Sequence, residues 1–248
     1  MSALRFVCLG TGDAFSARWY SSSLAIEADG AWLLFDCPHP IRKILREAGE
    51  SAGVPLDIDR FAAVALSHLH ADHASGLEGW AFYSRFLLNR RAVVLTHPEV
   101  AEALWGHLSA SMGSILSGPG GQRIACERDD YFDIHLLDET APVSFGPFSI
   151  ECRRTLHHIP TFAMRIHAAG RCLALSADTS FDPGLIDWLS SADLIVHETN
   201  VGIHTPYEHL AALPADLRQK MRLTHYPDDF DTSGSVIEPL EQGRLYTV

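Results

Sequence analysis

A chain of 248 residues that is 47% apolar can bury a sizeable core, and its five cysteines (Cys8, Cys37, Cys126, Cys152, Cys172) are odd in number and lack a C-x-x-C pair. That argues for reduced, buried thiols over a disulfide framework. The 31 acidic residues against 19 basic ones give a formal charge of −12, and no basic run is interleaved with aromatics, which disfavours a long nucleic acid as partner and leaves room for a small anionic substrate.

No run approaches the roughly 18 apolar residues of a membrane span. The start "MSALRFVCLG" also lacks the cationic lead and long apolar stretch of a secretory signal, so a single cytoplasmic domain over 1–248, without a membrane partner, is the expectation. The first third reads as strand, turn, strand, turn, strand. "LRFVCLG" has strand-type apolar content, and Asp29-Gly30 between the apolar runs of "SSLAIEADGAWLLFDC" is a hairpin signal. "PIRKILREAG" puts Ile41, Ile44 and Leu45 on one helical face, with Gly49 as its stop. "FAAVALS" is a short buried strand.

Where that strand ends, the chain crowds four potential metal ligands into six residues, His68-x-His70-x-Asp72-His73. Chance yields this pattern at a rate on the order of 0.3 per cent for such a composition. Imidazoles this dense repel one another when charged and lose solvation when buried unpaired, and a divalent cation removes the conflict.

Further along, "AVVLT" precedes His97-Pro98, where proline suits a first helical position. Residues 109–130, including "GSILSGPGGQRIACERDD", read as a long loop or lid near the site. "FSIECRRTL" leads to His157-His158, "FAMRIHAAGRCLALSAD" turns as a hairpin at Ala169-Gly170, and "ADLIVHETN" is a strand ending in His197. "HTPYEHLAALPADLRQKM" opens with Thr205, Pro206 and Glu208 as a capping box, and "RLTHYPDD" returns as a strand to His225. Each candidate ligand thus follows a predicted strand: His68, His70, Asp72, His73, His157 or His158, Asp178, His197 and His225. Imidazole and carboxylate without thiolate suit zinc first, then manganese or iron. So many ligands exceed one tetrahedral ion, and two divalent ions are expected.

The order of these segments resembles the metallo-β-lactamase superfamily and, within it, the ribonuclease Z-like phosphodiesterase branch. The resemblance is carried by "LGTGDAFS", "LLFDC", "SHLHADHASGLEG", "HHIPTFAMRI", "LSADT", "HET" and "LTH", across nearly the whole chain. It implies an α/β fold, an αββα sandwich of two mixed β-sheets flanked by helices. By position it implies one ion on His68, His70 and His157, a second on Asp72, His73 and His225, and Asp178 bridging them, with His158 the alternative to His157.

A water shared by two such ions ionises near pH 7 and is the expected nucleophile on a small or cyclic nucleotide-like phosphodiester. His197 of "HET" is similar to the branch's non-metal catalytic histidine, with Glu198 as its orienting partner. Asp72 counts as catalytic as well as ligating, and Asp36 orients a ligand histidine from behind.

The tRNA-gripping arm of ribonuclease Z, which lies between the positions matching His157 and Asp178, is reduced here to residues 158–177, room for a hairpin alone. "CPHPI" stands where the branch commonly has a Gly-rich turn. A metal-dependent hydrolase, phosphodiesterase first, is therefore expected. Lactonase or thioesterase chemistry, an endoribonuclease and a non-catalytic sensing module are the alternatives. Enzymes of the branch are often dimers, so the resemblance admits a homodimer, an assembly that the sequence itself does not specify.

Overall fold

The computed structural model describes residues 3–248. Its first half runs β1 (Arg5–Gly10), β2 (Ser23–Ala28), β3 (Ala31–Phe35), α1 (Ile41–Ala52), β4 (Phe61–Ala65), α2 (Ala71–Ala74), α3 (Leu77–Phe86), β5 (Ala92–Thr96), α4 (Pro98–Met112), β6 (Ser114–Ser117), β7 (Gln122–Ala125) and β8 (Phe132–Leu136). The second runs β9 (Val143–Phe145), β10 (Phe148–Arg154), β11 (Phe162–Ala168), β12 (Arg171–Leu175), α5 (Pro183–Leu189), β13 (Leu194–Glu198), α6 (Tyr207–Ala211), α7 (Ala215–Lys220), β14 (Met221–Thr224) and β15 (Leu245–Thr247).

Two mixed sheets result, ordered β15-β1-β2-β3-β4-β5-β8 and β14-β13-β12-β11-β10-β9, as the expected sandwich requires. The Asp29-Gly30 and Ala169-Gly170 pairs both take positive φ, the hand that two-residue hairpin turns need.

β3, β4, β5 and β8 run parallel in one sheet, and β12, β13 and β14 run parallel in the other. Buried on both faces from Ala63 onward, with only Ala62 exposed, β4 can read as the unbroken run FAAVA, since a parallel strand has little wet side to favour alternation. In the second sheet, neighbours on a strand divide between two cores. Leu173 and Leu175 of β12 and Val196 of β13 pack between the sheets, whereas Ala174 and Ile195 pack with Leu185, Leu189 and Leu210 of the covering helices. All parallel strands deliver their C-terminal ends to one rim, where an α/β sheet places its ligands.

Three local expectations fail for identifiable reasons. Gly49 lies inside α1; the helix ends at Gly53, whose φ of 68° supplies the left-handed cap. Gly49 instead permits the returning chain to approach, because a Cβ there would stand 2.5 Å from the Val54 carbonyl oxygen. Residues 109–130 are no loop: α4 continues to Met112 and β6 and β7 pair as a hairpin. Thr205 does not cap α6; its Oγ1 donates to the Thr179 carbonyl at 2.9 Å, and Pro214 divides the following segment into two short helices.

Gly76, which follows the histidine cluster, is a close-approach glycine. A Cβ would lie 2.6 Å from the Pro38 oxygen and 2.7 Å from the Cys37 oxygen, and the Gly76 amide itself donates to Cys37 at 2.7 Å. Both obstacles are backbone, so Gly76→Ala is expected to cost about 1–3 kcal/mol. That would appear as a melting temperature lower by about 2–4 °C per kcal/mol, read by calorimetry.

Candidate metal centre

His68 and His70 leave β4 in an extended segment, and Asp72 and His73 lie on the single turn of α2. His157 follows β10, Asp178 follows β12 and His225 follows β14. Asp36, Ala177 and His225 all hold φ of 50–56° without being glycine. Strain of this kind, of order 1–3 kcal/mol each, tends to gather at functional sites, and here it aims side chains from three different strand ends at one point.

The ligand atoms of the expected residues form two groups, and Asp178 and His225 converge with His204 in a third. In the first, His70 Nδ1 lies 3.1 Å from His68 Nε2 and 3.2 Å from His157 Nε2, while Asp178 Oδ2 stands 3.6 and 3.8 Å from the latter two. In the second, Asp72 Oδ2 lies 3.2 Å from both His73 Nε2 and His225 Nε2, and Asp178 Oδ1 stands 3.2 and 3.6 Å from the same nitrogens. Asp178 turns one carboxylate oxygen to each.

Ligands about 2.0–2.1 Å from a tetrahedral ion stand roughly 3.3 Å from each other, and both groups match that spacing. Buried His73 Nε2 and Asp178 Oδ1 also lack a hydrogen-bond partner, a state that a bound cation relieves. The donor set therefore fits two divalent ions.

Electrostatics agrees. Burial, with His73 nearby, drives His68 down to about 3, and burial takes His157 to about 4, so both rings stay neutral and ready to ligate. Burial also pushes His73 and His225 down. Asp178, with Asp36 and Asp72, overrides it, holding His73 well above the usual range and His225 at about 10. In the bare chain those two protons balance the carboxylates; a divalent ion would displace them.

Asp36 is buried and accepts from Ser67 N, Ser67 Oγ and His73 Nδ1, each at 2.8 Å. His73 is thereby turned to present Nε2, the orienting role expected of Asp36. Asp36→Asn puts an amide N–H where an acceptor is needed and is expected to weaken ion binding about 10–100-fold, measured by competition with a chelator.

His197 is not brought to the centre. Along β13, Ile195 packs on the helix side and Val196 between the sheets, so His197 follows Ile195 outward and Glu198 follows Val196 inward. The buried His197 donates from Nδ1 to the Glu198 carbonyl at 2.7 Å, and burial lowers its basicity. The histidine that does reach the centre is His204, in the loop between β13 and α6. Its Nδ1 lies 3.0 and 3.1 Å from the two Glu198 oxygens and 4.0 Å from Asp178 Oδ2. Burial lowers His204, but the Glu198 carboxylate overrides this and raises it.

Glu198 also accepts from Thr179 N at 2.6 Å and sits 3.6 Å from His225 Nδ1. The loop carrying His204 folds back through Asn200 N to the Thr205 carbonyl, 3.0 Å. Asn200 donates in turn to Asp13 (2.9 Å) and to the His225 carbonyl (3.2 Å), a role for the "LGTGD" start that sequence reasoning missed.

The model of the family described as "Anti-Pycsar protein Apyc1" matches residues 4–243. A protein of that name from Paenibacillus sp. (strain J14) is 28% identical over 259 residues, covering 99% of this chain and all of the relative. Among solved structures, the metallo-β-lactamase fold protein YhfI from Bacillus subtilis superposes with a TM-score of 0.76 at 18% identity, covering 99% of this chain and 100% of its own. Human tRNase Z, short form, gives 0.68 at 19%, covering 98% of each chain. The fold is the metallo-β-lactamase fold, as the motif order implied.

Proposed function

The chain belongs to the Anti-Pycsar protein Apyc1 family, and from that premise we propose that it is a dimetal-dependent hydrolase, a phosphodiesterase cleaving a small or cyclic nucleotide-like phosphodiester. The observation that carries this reading is Asp178, whose two oxygens face two separate groups of imidazoles while the His204–Glu198 pair stands alongside. His68, His70 and His157 would hold one ion and Asp72, His73 and His225 the other, zinc first by donor type. Held by these residues, two divalent ions would supply Lewis acidity and the means of activating water near neutral pH.

The chain's own groups do the rest. Glu198 takes the Nδ1 proton of His204 in a hydrogen bond, which fixes the ring and leaves Nε2 as the nitrogen to hand a proton to the departing oxygen. Asp36 and Ser67 hold His73 and His68 in ligating orientation, with Ser67 Oγ 2.9 Å from His68 Nδ1.

A lactone or thioester could use the same ions. The proton-delivering pair favours a diester whose leaving alkoxide needs a proton. The charge of −12 and the short β11–β12 hairpin, in place of a gripping arm, favour a small substrate over RNA. A panel of bis(p-nitrophenyl) phosphate, 3′,5′-cyclic mononucleotides, a lactone series and a structured RNA, each run with and without chelator, tests this. Chelator-sensitive turnover of the cyclic diesters above the rest is expected. Preferential lactone or RNA cleavage, or no turnover at all, would overturn it.

A further inference from the structure

The second nitrogen of a ligating imidazole sets the ring's tautomer and tilt through whatever it meets; that of His157 meets no hydrogen-bond partner, but those of the other rings face a side chain. Ser67 takes that of His68 and Asp36 that of His73, while Glu198 stands 3.6 Å from that of His225. His70 turns Nδ1 into the first group, so its Nε2 points the other way, and there it meets His158 Nε2 at 3.0 Å with ring centroids 4.7 Å apart. We propose that His158 is a positioning residue for the first ion, accepting a hydrogen bond from His70 Nε2–H and so fixing the tautomer and tilt in which His70 offers Nδ1. This rests on the metal-centre reading above.

The proton placement follows from ligation itself. A nitrogen that donates its lone pair to an ion carries no proton, so a His70 bound through Nδ1 bears its proton on Nε2. His158 Nε2 must then be the acceptor, and its own proton lies on Nδ1. Water could accept the same bond, because His158 is exposed. A side chain differs in that its position is set by the fold. Here the 155–161 loop is closed by Thr155 N to the Thr161 carbonyl at 3.0 Å, tied to Asp178 by Thr155 Oγ1 at 2.7 Å, and tied to the histidine cluster by Phe162 N to the Ser67 carbonyl at 3.2 Å.

The loop that supplies His157 to the ion thus also supplies the residue that aims His70. His158 is not itself a member of the ligand groups: it lies at the nitrogen of His70 opposite the ion, and the converging atoms belong to His68, His70, His157 and Asp178.

A partner of this kind raises ligand basicity and holds ring orientation, and its loss typically costs about 10–100-fold in metal affinity. The test is zinc affinity of the full chain by competition with a chromophoric chelator. His158→Ala is expected to weaken the first ion about 10–100-fold and to leave the second ion's affinity and the melting temperature of the metal-free chain unchanged. His158→Gln, which keeps an acceptor, should recover most of the loss.

Both ions bound as tightly in His158→Ala as in the unaltered chain would overturn the proposal alone. So would complete loss of the first ion in His158→Ala with retention in His157→Ala, since His158 would then be the ligand. An unaltered chain that binds no zinc would overturn this proposal and the metal-centre reading together.

Discussion

Asp178→Ala is expected to lower phosphodiester turnover by roughly 10⁴-fold or more and to leave at most one ion per chain. Among the described residues, Asp178 is the one carboxylate that turns an oxygen to each group, with Oδ2 toward His68 and His157 and Oδ1 toward His73 and His225. Its removal takes a ligand atom from each ion and the negative charge that lets two cations sit close together. Stabilisation of transition-state charge by bound metal amounts to several kcal/mol, and each 1.36 kcal/mol is tenfold in rate, which sets the expected loss. Elemental analysis and kcat/KM on the same preparation check it. Asp178→Asn, nearly isosteric, separates a lost charge from a lost shape. A variant that keeps two ions and more than about a tenth of its turnover would remove Asp178 from the bridge.

His204→Ala is expected to leave metal content near that of the unaltered chain and to lower turnover of a cyclic diester by about 10²- to 10⁴-fold, the usual range for a lost general acid or base. The loss should be smaller with bis(p-nitrophenyl) phosphate, whose p-nitrophenolate leaves without a proton. Only the electrostatic part of the role is missing there. His197→Ala is the contrasting variant: strand alternation turns its buried ring with Ile195, away from Val196 and Glu198, so stability should fall while kcat on the folded fraction holds. Were His197→Ala to lose turnover and His204→Ala to keep it, the assignment would reverse. Loss of an ion in His204→Ala would make His204 a ligand, beside Asp178 and His225.

What the sequence discloses is what local chemistry concentrates. His68, His70, Asp72 and His73 stand within six residues, and four such groups in one loop have few uses other than a cation. The Asp-Gly and Ala-Gly hairpins and the Pro98 helix start were legible for the same reason, since each is decided within a few residues.

Asp178 and His225 were legible as strand-end candidates, but their division between two ions came only from the order of motifs, because nothing local marks an aspartate after "LSA" as shared by two groups. The exchange of His197 for His204 shows where one-dimensional reading stops. Two adjacent residues at a strand end cannot both face the cleft, and which one does depends on the packing of Ile195 and Val196. His204 arrives by a loop closure, Asn200 to Thr205, that no periodicity announces. The 114–125 hairpin was hidden because much of it is exposed, so its strands lack the apolar alternation that signals a half-buried sheet.

The most direct test of the whole account is a reconstitution titration. The purified chain is stripped with chelator, zinc is returned in measured equivalents, and opening of a 3′,5′-cyclic mononucleotide is followed by phosphorus NMR. Activity should start at zero, rise with added metal and level off at about two equivalents per chain, the number expected if Asp178 serves the His68 group with Oδ2 and the His73 group with Oδ1. Turnover that survives stripping, or a fully loaded chain that leaves the cyclic diester intact, would contradict it.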